Sequence, residues 1–171
     1  MGASEQGADA VEGRWLALPR TLSFVFNGDD ILLMKRGAHK RVFPNRYNGL
    51  GGHIERYEDP LSSAAREIHE ESGLTVRDLR LRAVYSVDAG ASAGIILFVF
   101  TAFSDSRVVS ANDEGTLHWV PRDTLLTLDL VDDLPLILPR ILGADTSNEV
   151  IFAHLSYDDQ DKLVMRFTEQ S

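Results

Sequence analysis

The sequence predicts an α/β sandwich, on three observations. Strand-patterned segments are interspersed with a few helical ones, no internal repeat is present, and 44% hydrophobic residues in 171 suit one domain with a real core. Thr21 to Phe26 alternates as a strand, Asn27-Gly28-Asp29-Asp30 is a turn, and Ile31 to Lys35 returns as a second strand. Arg36 to Tyr47, rich in Arg, Lys and His around Pro44, is expected to be a mobile basic loop, and Asn48 to Glu55 a tight glycine turn entering a short strand. A helix spans roughly Pro60 to Ser72. Asp59 is a good N-cap, Pro60 fits the first turn, and Gly73 suits the left-handed position that ends a helix. Leu61, Ala64, Ala65, Ile68 and Ser72 form its inward face.

Leu79 to Val87 reads as a strand, and Ile95 to Phe103 is apolar enough to be buried on both faces. Glu114 to Val120 is a short strand ended by Pro121. One helix starts near Arg122, and another runs from Leu134 to Leu142 before Gly143. Glu149 to Ser156, a turn at Tyr157 to Asp161, and Lys162 to Phe167 make a closing hairpin.

Composition excludes several functions. Acidic residues number 26 against 17 basic, a net charge of −9 with no basic stripe, so binding along duplex or long single-stranded nucleic acid is not expected. Zero cysteines leave no disulfide framework and no thiolate metal site, which fits a cytoplasmic setting. No apolar stretch approaches ~18 residues, so no membrane span is expected. The opening residues lack the basic-then-apolar layout of a signal peptide and read as a flexible leader over 1–18.

The most specific signal lies between Gly52 and Leu74: Gly52, Glu58, Arg66, Glu67, Glu70, Glu71 and Gly73, with Ile68 and Leu74 in apolar slots. Chance occurrence of seven such matches is on the order of 10⁻⁸ per window. Glu67, Glu70 and Glu71 stand at i, i+3 and i+4, so their carboxylates project from one patch and repel one another. A hard divalent cation relieves that repulsion, and Mg²⁺ takes oxygen ligands while keeping waters and substrate phosphates in its shell. A solvated charged face is the competing reading. The flanking glycines and Glu58, at set offsets, weigh against it.

This run resembles the signature of the Nudix hydrolases, which cleave diphosphate linkages attached to a nucleoside or similar group. The resemblance implies a mixed sheet between helices, with the Nudix domain over 19–145; the C-terminal hairpin over 146–171 lies outside what the motif justifies and is read from its own pattern as an extension of the same domain. It also implies a metal site of Glu67, Glu70, Glu71 and Glu114 with the Gly51 carbonyl, holding Mg²⁺ or, as a substitute, Mn²⁺. Glu58 and Arg66 are implied to pair and brace the loop. Glu67 and Glu114 are the candidates for accepting a proton, and Glu71 is the central ligand. Catalysis is thus assigned to Glu67, Glu71 and Glu114, supported by Arg66 and Glu58.

Away from the motif, Asn112-Asp113-Glu114 followed by Trp119 is similar to the segment with which nucleotide-sanitising relatives contribute a carboxylate opposite the helix. Asn48 and the Asp132-Asp133 pair resemble the base-gripping residues of oxidised-purine triphosphatases. Asn48 also reads as a turn residue, and the aspartates as an N-cap before Leu134. Lys35, Arg36, Lys40, Arg41 and Arg46 are candidates for phosphate contact, or a solvated loop; Lys35 is taken as substrate-binding. The expectation is hydrolysis of a nucleoside triphosphate, with 8-oxo-dGTP a candidate, to monophosphate and pyrophosphate by a monomer or homodimer. The alternatives are another diphosphate-linked substrate, such as a nucleotide sugar, and a nucleotide-sensing module without turnover.

Overall fold

The computed structural model describes residues 3–8, 11–110, 113–143 and 149–168. Eight strands form one connected hydrogen-bonded system: β1 (Leu16–Asn27), β2 (Asp30–Arg36), β3 (Tyr47–Asn48), β4 (Arg77–Val87), β5 (Ala93–Phe103), β6 (Gly115–Pro121), β7 (Ile151–Tyr157) and β8 (Leu163–Phe167). Their order is β3-β2-β1-β5-β4-β7-β8, with β6 on β2. The sheet is mixed, since β1 pairs parallel with β5 and β4 parallel with β7, while the other pairs are antiparallel.

One helix packs on each face. α1 (Pro60–Ser72) covers a core of Val25, Leu32, Met34, Leu50, Ile68 and Leu74. On the opposite face, α2 (Leu134–Gly143) buries Leu134, Ile137, Leu138 and Ile141 against Phe24, Leu33, Tyr85 and Val99. This is the α/β/α sandwich that the patterning predicts. No helix among the described residues is long and apolar enough to cross a membrane.

Four expectations change. β1 begins at Leu16, inside the expected leader, because Leu16–Arg20 pairs in parallel with Ala93–Leu97. A partner more than seventy residues away leaves no mark on local alternation. The segment after Pro121 is a 3-10 helix, Arg122–Thr127, too short to propagate as α. The basic loop is tied down rather than mobile: Arg36 N–H donates to Arg46 O at 2.9 Å, Asn45 N–H to Arg36 O at 3.0 Å, and Gly37 N–H to Glu114 O at 2.9 Å. The inward face of α1 is Ser63, Ala64, Ile68 and Ser72, with Leu61 and Ala65 exposed.

Candidate active site

That rotation of α1 sets the site. Side chains four residues apart form rows along a helix. The row of Ala64, Ile68 and Ser72 is buried. Its neighbour, Ser63-Glu67-Glu71, faces the glycine turn, and the next, Ser62-Arg66-Glu70, opens to solvent. Accordingly the Glu67 side chain is 14% exposed and that of Glu70 59%. Asp59 caps the helix start by accepting from Leu61 and Ser62 N–H at 2.8 and 3.0 Å, and Gly73 ends it at φ +74°.

The glycine turn is pinned to β1 by Ser23 and Thr21 N–H, which donate to the carbonyls of Leu50 and Gly52 at 2.6 and 2.9 Å. Between them, Gly51 donates its N–H to Glu71 Oε2 at 2.9 Å. A Cβ on Gly51, at φ +149°, would collide with the Thr21 carbonyl; one on Gly52 would lie 2.5 Å from Glu67 Oε1. Glycine is what permits carboxylates and backbone to meet here.

Arg66 organises the surrounding acids. Its Nε and Nη2 donate to Glu58 Oε1 and Oε2 at 2.6 and 3.0 Å, and its Nη1 reaches Glu67 Oε1 and Glu70 Oε2, each at 3.0 Å. A further bond from Nη2 to His53 O, at 3.2 Å, ties helix to loop. The hydrogen bonding that Arg66 donates to Glu58 is the main reason the Arg66 proton affinity is raised, and it also holds the Glu58 carboxyl below its usual range.

A cavity of about 400 Å³ opens beside this network, with Glu71 and Glu114 at one end and Asn48, Asp132 and Asp133 among its other lining residues. Burial pushes the Glu71 carboxyl up to about 8; the Gly51 N–H opposes this, while the charges of Glu67 and Glu114 add to it. Burial also raises Glu67. Glu114 is paired with Lys40 Nζ at 2.5 Å. Glu58, Arg66, Glu67 and Glu70 do not line the cavity. Among the described residues no three acidic or imidazole groups form a ready-made metal cage, because Arg66 draws Glu67 and Glu70 to itself. The donor chemistry nevertheless fits a hard cation: Glu67 and Glu114 are close enough to Glu71 to raise its proton affinity, and every donor is oxygen.

Beyond this acidic end, Asn48 Oδ1 accepts from Gly49 N–H at 2.9 Å, so its NH₂ remains the donor. Tyr85 OH donates to Asp133 Oδ2 at 2.6 Å, while Asp133 Oδ1 is buried without a protein partner. Burial raises the Asp133 carboxyl. Its backbone carbonyl also accepts from Leu136 and Ile137 N–H at 3.0 and 3.1 Å, so Asp133 starts α2 with its backbone and faces the cavity with its side chain. Asp132 is exposed and bonded by Arg46 Nη1 at 2.5 Å. Lys35 lies outside the cavity lining, its Nζ 5.7 Å from the Tyr47 ring centre; strand alternation gives the lining positions to Met34 and Arg36. Trp119 donates its indole N–H to Arg107 O at 3.0 Å, and Asn112 lies outside the described residues.

Two contributors were missed by the sequence reading. Arg20 lines the cavity near Arg36, its guanidinium proton affinity lowered by burial and then by the Arg36 charge, and its Nε is buried with no hydrogen-bond partner. Nothing local marked it. The hairpin supplies Leu155, Tyr157 and Leu163 to the cavity wall, a consequence of β7 adding to β4.

A mixed sheet between two helices, with a glycine turn bonded to a glutamate-bearing helix, defines a hydrolase of the Nudix type. The NUDIX domain model matches residues 17–141, and the chain belongs to that family. It is 28% identical over 146 residues to mouse oxidized purine nucleoside triphosphate hydrolase, covering 84% of this chain and 89% of that one. It is 37% identical over 100 residues to isopentenyl-diphosphate Delta-isomerase of Saccharopolyspora erythraea, a match spanning 53% of this chain and 50% of the isomerase. The MutT protein of Bacillus halodurans superposes with TM-score 0.73 at 24% identity, covering 88% of this chain and 97% of the other, a likeness of fold.

Proposed function

We propose that this chain hydrolyses a purine nucleoside triphosphate, with 8-oxo-dGTP the candidate, to the monophosphate and pyrophosphate with Mg²⁺. The observation that carries the reading is that one cavity is lined by the neighbouring acids Glu71 and Glu114 together with Asn48 and Asp133. The likeness to the mouse oxidized purine nucleoside triphosphate hydrolase supports it.

Bound divalent metal stabilises charge growing on the diphosphate oxygens and lowers the pKa of the attacking water. Glu71 is its principal holder, joined by Glu67, Glu70, Glu114 and the Gly51 carbonyl. Glu67 and Glu114 are the candidates for accepting the proton of the attacking water, the first held by Arg66 and the second, on the cavity wall, paired with Lys40. Arg20 and Arg36 neutralise phosphate oxygens. Asp133, a carboxyl whose protonation burial favours, presents Oδ1 to a base edge bearing both donors and acceptors, and Asn48 adds NH₂ donors.

A second reading is favoured by the aliphatic wall of Leu22, Val87, Leu97, Leu155 and Leu163 and by the partial match to an isopentenyl-diphosphate isomerase: an apolar diphosphate as substrate. A nucleotide sugar and a sensing role without turnover are further alternatives. A panel of oxidised and normal purine triphosphates, a nucleotide sugar and an isoprenyl diphosphate, assayed with Mg²⁺, tests these. Preferential pyrophosphate release from the oxidised purine supports the proposal. Equal rates on oxidised and normal purines remove the 8-oxo-dGTP assignment and leave purine triphosphate hydrolysis standing. No turnover of any purine triphosphate overturns the proposal, and turnover confined to the isoprenyl compound selects the second reading.

A further inference from the structure

The basic loop between β2 and β3 is a strap tied to two acids of the cavity. Lys40 Nζ lies 2.5 Å from Glu114 Oε2 and Arg46 Nη1 2.5 Å from Asp132 Oδ1, and both carboxylates line the cavity. Between these ties, Val42 and Phe43 supply part of the same lining. Phe43 adopts φ +50°, a left-handed conformation that a residue with a Cβ rarely takes and keeps only while its neighbours hold it. We propose that Lys40 is an exchangeable latch: divalent metal taking the Glu114 carboxylate displaces the ammonium, frees residues 38–43 and hands Lys40 to phosphate oxygens of the substrate. The inference rests on the assignment of Glu114 to the metal site made above.

An ordinary surface ion pair accounts for the Lys40 distance but not for its company. Glu114 is close enough to Glu71 for its charge to raise the Glu71 proton affinity, so Lys40 stands beside the acids that a cation would join. Side-chain exposures of 21% for Lys40 and 45% for Glu114 make their bond weak in water. A dication attracts the same carboxylate about twice as strongly at equal distance, and Mg²⁺ takes oxygen ligands. The displaced ammonium is a point charge on a flexible stem, suited to following a phosphate. Backbone bonds from Arg36 N–H to Arg46 O and from Asn45 N–H to Arg36 O close the base of the strap, and Arg46 also holds Asp129. Release at Lys40 therefore moves the tip of the strap and leaves β2 and β3 seated.

The test is hydrogen exchange at the backbone amides of residues 38–43 while Mg²⁺ is titrated into metal-free protein. Exchange in wild type is expected to rise severalfold as Mg²⁺ binds. In Lys40→Met it is expected to be fast already and insensitive to metal, and in Lys40→Arg, which keeps the charge, to be slow again without metal. Calorimetry supplies the opposing half. Mg²⁺ is expected to bind Lys40→Met severalfold tighter than wild type, and inorganic pyrophosphate to bind the Mg²⁺-loaded variant severalfold weaker. A merely structural lysine would not move those two affinities in opposite directions. Mg²⁺ binding with unchanged exchange in wild type overturns the latch, as does equal pyrophosphate affinity in wild type and Lys40→Met, or no binding of Mg²⁺ at all. No nucleotide enters these measurements, so they are independent of the substrate panel. A strap loosened by Mg²⁺ in a protein inert to purine triphosphates keeps the latch and removes only the substrate reading; purine turnover with an unmoved strap does the reverse.

Discussion

Two acidic clusters, one reaching the cavity through Glu71 and the other through Asp132 and Asp133, are made of the same functional group and are neutralised in opposite ways. On α1, Glu67 and Glu70 lean on one guanidinium, and Glu71 is buried against a backbone N–H. Before α2, Asp132 is bound by Arg46, and Asp133 by a buried tyrosine hydroxyl. The first cluster concentrates negative charge on hard oxygens, which suits a cation. The second separates its charges and leaves one carboxyl oxygen bare in a buried setting, which suits a hydrogen-bonded base. Identical side chains thus acquire different chemistry from what lies opposite them.

The largest effect that could break this contrast is Glu71→Gln. Turnover is expected to fall by about a thousandfold or more, with thermal unfolding of the metal-free protein little changed at neutral pH, since burial already favours the protonated carboxyl and Gln keeps an oxygen that can accept from Gly51 N–H. Pyrophosphate release measured beside a melting curve checks both parts. Near-normal turnover would remove the metal assignment, as would full activity after exhaustive chelation.

Asp133→Asn sharpens the other half. Asn caps a helix about as well as Asp, so a purely capping role leaves kinetics untouched. A base-reading role raises KM by roughly tenfold and narrows the preference for oxidised purine, with kcat little changed. Steady-state kinetics on paired substrates separates these outcomes. Tyr85→Phe, by leaving Asp133 Oδ2 without its donor, is expected to cost about 1–3 kcal/mol of stability in denaturant titration.

The smallest effect is in pH. Burial holds the Glu71 carboxyl at about 8 in the metal-free fold, against 4.5 for an ordinary glutamate. Between those limits the folded state keeps a proton that the unfolded chain has released, so stability falls as pH rises through the window. Asp133, also raised, contributes with the same sign. Melting temperatures of metal-free protein are expected to decline by a few degrees across this range. Glu71→Gln flattens the slope, and added Mg²⁺ opposes it. An unchanged slope in that variant would assign the pH dependence to the second cluster.

Legibility followed the range of the interactions. Asp59, Pro60 and Gly73 bound α1 through contacts within a turn, so its ends were readable, while the Glu58–Arg66 brace came from family likeness alone. The inward face of that helix was misjudged at Leu61 and Ala65. Hydrophobicity favours an apolar row, but docking onto the glycine turn brought the Ser63 row inward instead.

By itself, then, the sequence determined the acidic helix, its caps, the glycine turn and the alternation of strands, because each depends on neighbours a few bonds apart. Tertiary structure alone decided that Arg20 reaches the cavity, that Lys35 points away from it, and that the terminal hairpin walls it. The first and third of those outcomes depend on parallel pairings between β1 and β5 and between β4 and β7, and the second on the antiparallel pairing of β2 with β6. Such pairings join residues far apart along the chain, and their register is set by burial across the sheet rather than by local pattern.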